Sequence, residues 1–193
     1  AHALSARFNA PLIVANYSRL VIDCNRHPGA AGSIPSVSDN TVVPGNKNLS
    51  DEDTAFRKNE IFDTYHSSIG RQISVMRSEN KTPILISLHS FTPVISGQFR
   101  PWEIGILWKA DRRLSTPLIK KLREQKELNI GDNKPYSGSE PAGYTIDYHV
   151  EPLNLLSVAV EFRQDLIEFE SGAVRWANIF GDALDHVLDT KIS

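Results

Sequence analysis

Little in this chain points to disulfides, membrane spans or a highly charged partner. Of its 193 residues one is a cysteine, Cys24. No internal disulfide can therefore form, and no cysteine-based zinc ribbon can be built. A lone thiol fits a reducing, cytoplasmic setting. No apolar run approaches the ~20 residues of a membrane helix. Acidic and basic residues nearly balance, 23 against 21, for a net charge of −2. That excludes the basic footprint of a nucleic-acid or anionic-membrane binder. There is no Gly-x-Ser-x-Gly elbow and no phosphate-cradling glycine loop. There is no initiator methionine either. Ala1–Phe8 reads as the back half of a helix, and this raises the expectation that the chain is a fragment.

What is present is ordinary globular material, 40% hydrophobic and 23% charged, enough for one compact domain with a sizeable core. The strongest strand signal is Ile84–Leu88, an Ile/Leu run with Pro83 before it and Pro93 just beyond. Further strands are expected at Pro11–Ala15, Leu20–Cys24, Ile104–Trp108 and Leu155–Phe162. Ser50 with Asp51, Glu52 and Asp53 reads as the capped start of a helix. Its apolar stripe runs through Phe62, Tyr65, Ile69, Ile73 and Met76. Two more helices are expected, Leu114–Leu128 and Gly172–Leu188. His27–Asn48 and Gly131–Thr145 read as loops. Strands alternating with amphipathic helices argue for an α/β fold with helices packed on a sheet. No domain boundary stands out, so residues 1–193 are read as one domain.

Polar clusters follow three of the expected strands: Asp23-Cys24-Asn25-Arg26, His89-Ser90, and Glu161-Phe162-Arg163-Gln164-Asp165. Strand ends are where α/β sheets collect ligands. His89 is either a metal ligand or a histidine bonded to a nearby carbonyl. Glu161 lies inside a period-2 apolar run, where a carboxylate is expensive unless paired. It is either half of an ion pair or a general base in a dry site. Arg26 either pairs with Asp23 or Glu161, or clamps a substrate carboxylate. Cys24 in an apolar setting reads as an inert thiol. Ser90 faces away from His89, so the two are no triad. His66 is either site-facing or a satisfied core histidine. His27, His149 and His186 have no ligand spacing, and Trp102 is a loop aromatic that packs on the fold or shapes a pocket.

These clusters resemble, in order and chemistry, three signature segments of the zinc carboxypeptidase superfamily. Over Pro11 to about Ile167 the chain is similar to the N-formylglutamate amidohydrolase family. The likeness runs through Ala15–Arg26, Ser38-Asp39, Pro44-Gly45-Asn46, His89–Pro93, Arg100-Pro101-Trp102, Asp132–Gly138, Gly143-Tyr144-Thr145 and Glu161–Leu166.

The resemblance implies a three-layer α/β/α fold of the zinc carboxypeptidase-like (phosphorylase/hydrolase-like) type, with a mixed, mostly parallel sheet. It implies a zinc-dependent amidohydrolase that cleaves the formyl amide of an N-formyl amino acid such as N-formyl-L-glutamate, which would give formate and L-glutamate. That activity belongs to histidine catabolism in the cytoplasm. By the same resemblance His89 is a zinc ligand. Glu161 activates the metal-bound water and then protonates the leaving amine. Asn25 and Arg26 hold a substrate carboxylate, Arg19 or Arg163 stabilises the oxyanion, and Tyr144 closes over the substrate. Catalytic zinc takes three protein ligands. The family supplies two of them from a His-containing segment that this sequence lacks. The chain is therefore expected to be an N-terminally incomplete amidohydrolase. The alternative is a metal-free relative that binds an acidic amino acid. Its expected partner is a small molecule, with neither nucleic acid nor membrane involved.

Overall fold

The structure, a computed structural model, describes residues 1–139 and 143–192. The chain forms two compact units. The first comprises Ala1–Leu12, Ile84–Pro141 and Leu156–Ser193; the second, Ile13–Pro83 and Ala142–Leu155.

The first unit is built on a four-stranded sheet. Its strands are β3 (Ile84–Phe91), β6 (Ile104–Leu107), β7 (Ile130–Asp132) and β8 (Leu156–Arg163), in the order β3-β8-β6-β7. Neighbours β3 and β8 are parallel, β8 and β6 antiparallel, and β6 and β7 parallel. The sheet is therefore mixed and mostly parallel, as expected. Ile104, Ile106, Val158, Val160 and Phe162 alternate onto one face and join a buried core with three helices. These are α1 (His2–Phe8), α4 (Ser115–Leu122) and α6 (Glu170–Ile192). Trp176, Phe180, Leu184 and Val187 of α6 are all buried there, as their spacing predicts. Arg7 of α1 donates to Asp182 (2.7 Å) and Asp185 on α6. The opposite face receives the odd-numbered residues, among them Ser87, His89, Gly105, Glu161 and Arg163.

The second unit holds the hairpin β1 (Val37–Ser38) and β2 (Thr41–Val42), then α2 (Asp51–Arg57), α3 (Thr64–Ser78) and α5 (Tyr144–His149). Ser50 caps α2, accepting from the Asp53 amide at 3.0 Å. A wider, π-helical turn over Lys58–Asp63 joins α2 to α3. Phe62, Ile69 and Ile73 of the expected stripe are buried. A small hairpin of the first unit, β4 (Val94–Ile95) and β5 (Gln98–Phe99), completes the elements. No helix among the described residues is long and apolar enough to cross a membrane.

Several expected elements differ. Pro11–Ala15 forms no strand, because its backbone has no ladder to join. Leu20–Cys24 is a turn rather than a strand: Val21 N donates to Ser18 O and Arg26 N to Asp23 O. Its apolar residues Ile22 and Cys24 are buried within that curl. Helix α4 stops at Leu122 rather than Leu128, because Arg123–Glu127 is wholly polar and has no stripe to bury. The expected loop Gly131–Thr145 overlaps β7 and α5, and its residues 140–142 lie outside the described residues. Within His27–Asn48 the chain is pinned by buried Asn46, whose Nδ2 donates to Leu20 O and Pro35 O.

Candidate functional site

The residues singled out in the sequence fall into two groups, one in each unit. In the first unit the backbone ladder does the placing. His89 of β3 and Glu161 of β8 are direct register partners on parallel strands. Side chains in register share a face, so the imidazole and the carboxylate stand side by side. Glu161 is 7% exposed. Its partner on the other side is Gly105, which in turn pairs with Gly131. This row has no Cβ in its second half. The space is taken by the carbonyl of Lys134, which a Cβ on either glycine would strike. The segment carrying Lys134 is pinned across the strand ends by its neighbours. Asn133 N donates to Ile106 O at 3.0 Å, and Asn133 Oδ1 accepts from Trp108 N and Gly138 N.

His89 Nε2 shares a hydrogen bond of 2.9 Å with Ser87 Oγ. Ser87 was not picked out from the sequence. Its signal was its spacing, two residues before His89 on the same strand face. Arg163 shares the face of Glu161 but turns to Asp165. Its Nε donates to Asp165 Oδ1 at 2.8 Å, its Nη2 to Oδ2 at 3.2 Å and its Nη1 to Pro101 O at 3.2 Å.

In the second unit side chains do the placing. The first cluster lies on a turn, which corrects the expectation of a third strand end. Asp23 is its hub and is 8% exposed. Its Oδ2 accepts from Arg19 Nε at 3.1 Å and lies 4.0 Å from Arg26 Nε. Its Oδ1 accepts from Asn25 N at 2.9 Å. One carboxylate thus gathers both guanidiniums, and Asp23 is a partner of Arg26 as one of the two expected pairings had it. Asn25 reaches the start of α5: Tyr144 N donates to Asn25 O at 3.2 Å and Thr145 N to Asn25 Oδ1 at 3.1 Å. Gly143 lies against the Asn25 amide. Tyr144 stacks on Tyr148 and meets Phe62 and His66 edge-on. Cys24 is buried, and burial beside Asp23 pushes its thiol up to about 11, so it is no nucleophile at neutral pH.

Among the described residues no three His, Cys, Asp or Glu side chains are gathered as a metal ion requires. His89 alone does not complete a catalytic zinc site.

The sheet sets an imidazole beside a buried carboxylate, a pair suited to general acid–base chemistry. A model of the N-formylglutamate amidohydrolase family matches residues 1–168. The chain belongs to that family. Among solved structures it is similar to a gene product of Agrobacterium tumefaciens, at 31% identity and a TM-score of 0.94, over 100% of this chain and 76% of that one. It also resembles in fold an N-formylglutamate amidohydrolase from Ralstonia eutropha, at 16% identity and a TM-score of 0.65, over 91% of this chain and 75% of that one. Both likenesses are consistent with the three-layer α/β/α fold expected from the sequence. No curated protein matches the chain by sequence.

Proposed function

We propose that this protein hydrolyses the formyl amide of an N-formyl amino acid, with N-formyl-L-glutamate as the first substrate to try. The observation that carries the reading is the in-register pair of His89 and buried Glu161 in a chain of this family. Glu161 is the general base for water and returns the proton to the leaving amine. A formyl group offers almost nothing to recognise, so specificity rests on the amino-acid carboxylates. Arg26, oriented beside Asp23 with Asn25, suits one of them. Arg19 is a better oxyanion donor than Arg163, whose fork is filled by Asp165. Tyr144, at the start of α5, is the closing residue. Zinc belongs to this reading with His89 as one ligand, as does the cytoplasmic setting.

The test is formate release from N-formyl-L-glutamate by the purified protein, with metal content measured on the same sample. Turnover that disappears with chelator and returns with zinc supports the reading. A second reading is metal-free binding of an acidic amino acid by the Arg26 group. It is favoured by the lack of a three-donor cluster among the described residues. Saturable glutamate binding without formate release would select it.

A further inference from the structure

Two buried histidines in the second unit have no part in the chemistry assigned above. His66 Nε2 lies 2.8 Å from the carbonyl oxygen of Cys24. A carbonyl only accepts, so that nitrogen carries the proton and donates. The other nitrogen of a neutral ring then offers only a lone pair. His66 Nδ1 faces His149 Nε2 at 3.0 Å, so His149 donates from Nε2. The direction of one backbone carbonyl therefore fixes both tautomers. The rings are 6% and 7% exposed and nearly parallel, 19° apart. Burial lowers both below the ordinary histidine range, which keeps them neutral near pH 7. The titratable groups facing them are Cys24, Asp63, Tyr144 and Tyr148, with Tyr65 beside His66. Arg77 lines the cavity of roughly 540 Å³ next to His149.

The placement of this chain gives it a purpose. Cys24 stands between Asp23, which gathers the two arginines, and Asn25, which holds the start of α5. His149 is the last residue of α5, and His66 lies in the first turn of α3. The Asp23–Arg26 turn is therefore tied to α5 twice. One tie is direct, from the Tyr144 and Thr145 amides to Asn25. The other runs from His149 through His66 to the Cys24 carbonyl.

We propose that His149 and His66 form a positioning relay that fixes the Cys24 carbonyl, and through it the pose of the Asp23–Arg26 turn and its Arg26 guanidinium. Its effect on turnover rests on the carboxylate-binding role given to Arg26 above. The relay itself does not.

The experiment begins with two-bond 1H–15N spectra of the wild-type imidazoles near neutral pH. Both rings are expected as Nε2–H tautomers. A charged ring, or Nδ1–H on His66, overturns the relay. Kinetics with N-formyl-L-glutamate then compare H149F, which removes the donor, with H149Q, whose amide still donates to His66. H149F raises KM about tenfold, the loss of roughly one hydrogen bond, with kcat within about twofold. H149Q recovers most of the wild-type KM. Equal loss in both variants, or a loss in kcat at unchanged KM, overturns the proposal.

If the wild type shows no turnover, the functional reading fails separately. Hydrogen exchange at the Thr145 amide then decides. Faster exchange in H149F but not in H149Q supports the relay, and unchanged exchange in H149F overturns it. Should H149F not fold, the wild-type tautomers and H149Q decide alone. Nε2–H on both rings with near-wild-type KM or Thr145 exchange in H149Q supports the relay, and any other result overturns it.

Discussion

The two groups of polar residues are held in place by different means. In the first unit, His89 and Glu161 meet because parallel strands β3 and β8 put them in register. The placing force is a continuous backbone ladder, and no single side chain is needed to maintain it. In the second unit, Arg19, Asn25, Arg26 and Tyr144 are assembled by side chains on a turn, through the Asp23 carboxylate and the two-histidine chain. Each of those contacts is one atom deep. The ladder suits groups that must be aimed rigidly at a reacting bond. The turn suits groups that grip a flexible, charged end of a ligand. A substitution in the first unit should change chemistry with little loss of placement, whereas one in the second should change placement first.

The largest expected effect is Glu161→Gln. It preserves shape and strand register and removes the base proposed above. Turnover of N-formyl-L-glutamate should fall about 10³-fold in kcat, with KM little changed. Full activity in this variant would sink the assigned role of Glu161.

Gly105→Ala tests whether the row depends on what lies above it. An added methyl would strike the Lys134 carbonyl, which is backbone and has little room to yield. The expected cost is about 2–3 kcal/mol, as for overpacking, read by denaturant unfolding. Gly131→Ala should behave alike, since the same carbonyl covers it. A neutral result at both positions would mean that the segment lifts off freely, and the row would then be open on that side.

Acid should separate the two regions. His149 is held near 4 by burial, against an ordinary 6.5, and His66 is lowered in the same direction. Between those values the unfolded chain binds more protons than the folded one. Stability therefore rises with pH through this window and is lost as pH falls from about 6.5 toward about 4. Protonating His66 at Nδ1 would also set two donors against each other. Thermal melts across this window should show a falling midpoint. Amides near Cys24 and Thr145 should lose protection before those of β3 and β8. A flat profile would count against neutral, buried rings.

The same contrast explains what was legible in the sequence. Ile84–Leu88 and Leu155–Phe162 announce themselves as strands, and with them the places of His89 and Glu161. Only their register had to come from the structure. Leu20–Cys24 has equally apolar residues, yet they are buried in a curl that brings Arg19 and Arg26 to Asp23. Composition cannot tell a buried turn from a buried strand, because both hide Ile22 and Cys24 equally well. The His66–His149 bond joins residues 83 positions apart. Neither has a local pattern that marks the other, so a spacing rule for ligands passes over both. Asp23 was visible as a possible partner of Arg26, but its role as a shared hub required the fold.

The smallest effect separates side chain from backbone within the second group. Asn25→Ala removes the Oδ1 acceptor of the Thr145 amide and leaves the Asn25 carbonyl still accepting from Tyr144. Losing a capping bond of this kind costs about 1 kcal/mol. For a protein of this size that is a drop of roughly 2–4 °C in melting temperature. Thr145 should exchange faster, while the Tyr144 amide stays protected. If both amides open together, the start of α5 is held by the Asn25 side chain alone. If neither opens, the tie through His149 and His66 is sufficient to keep α5 against the turn.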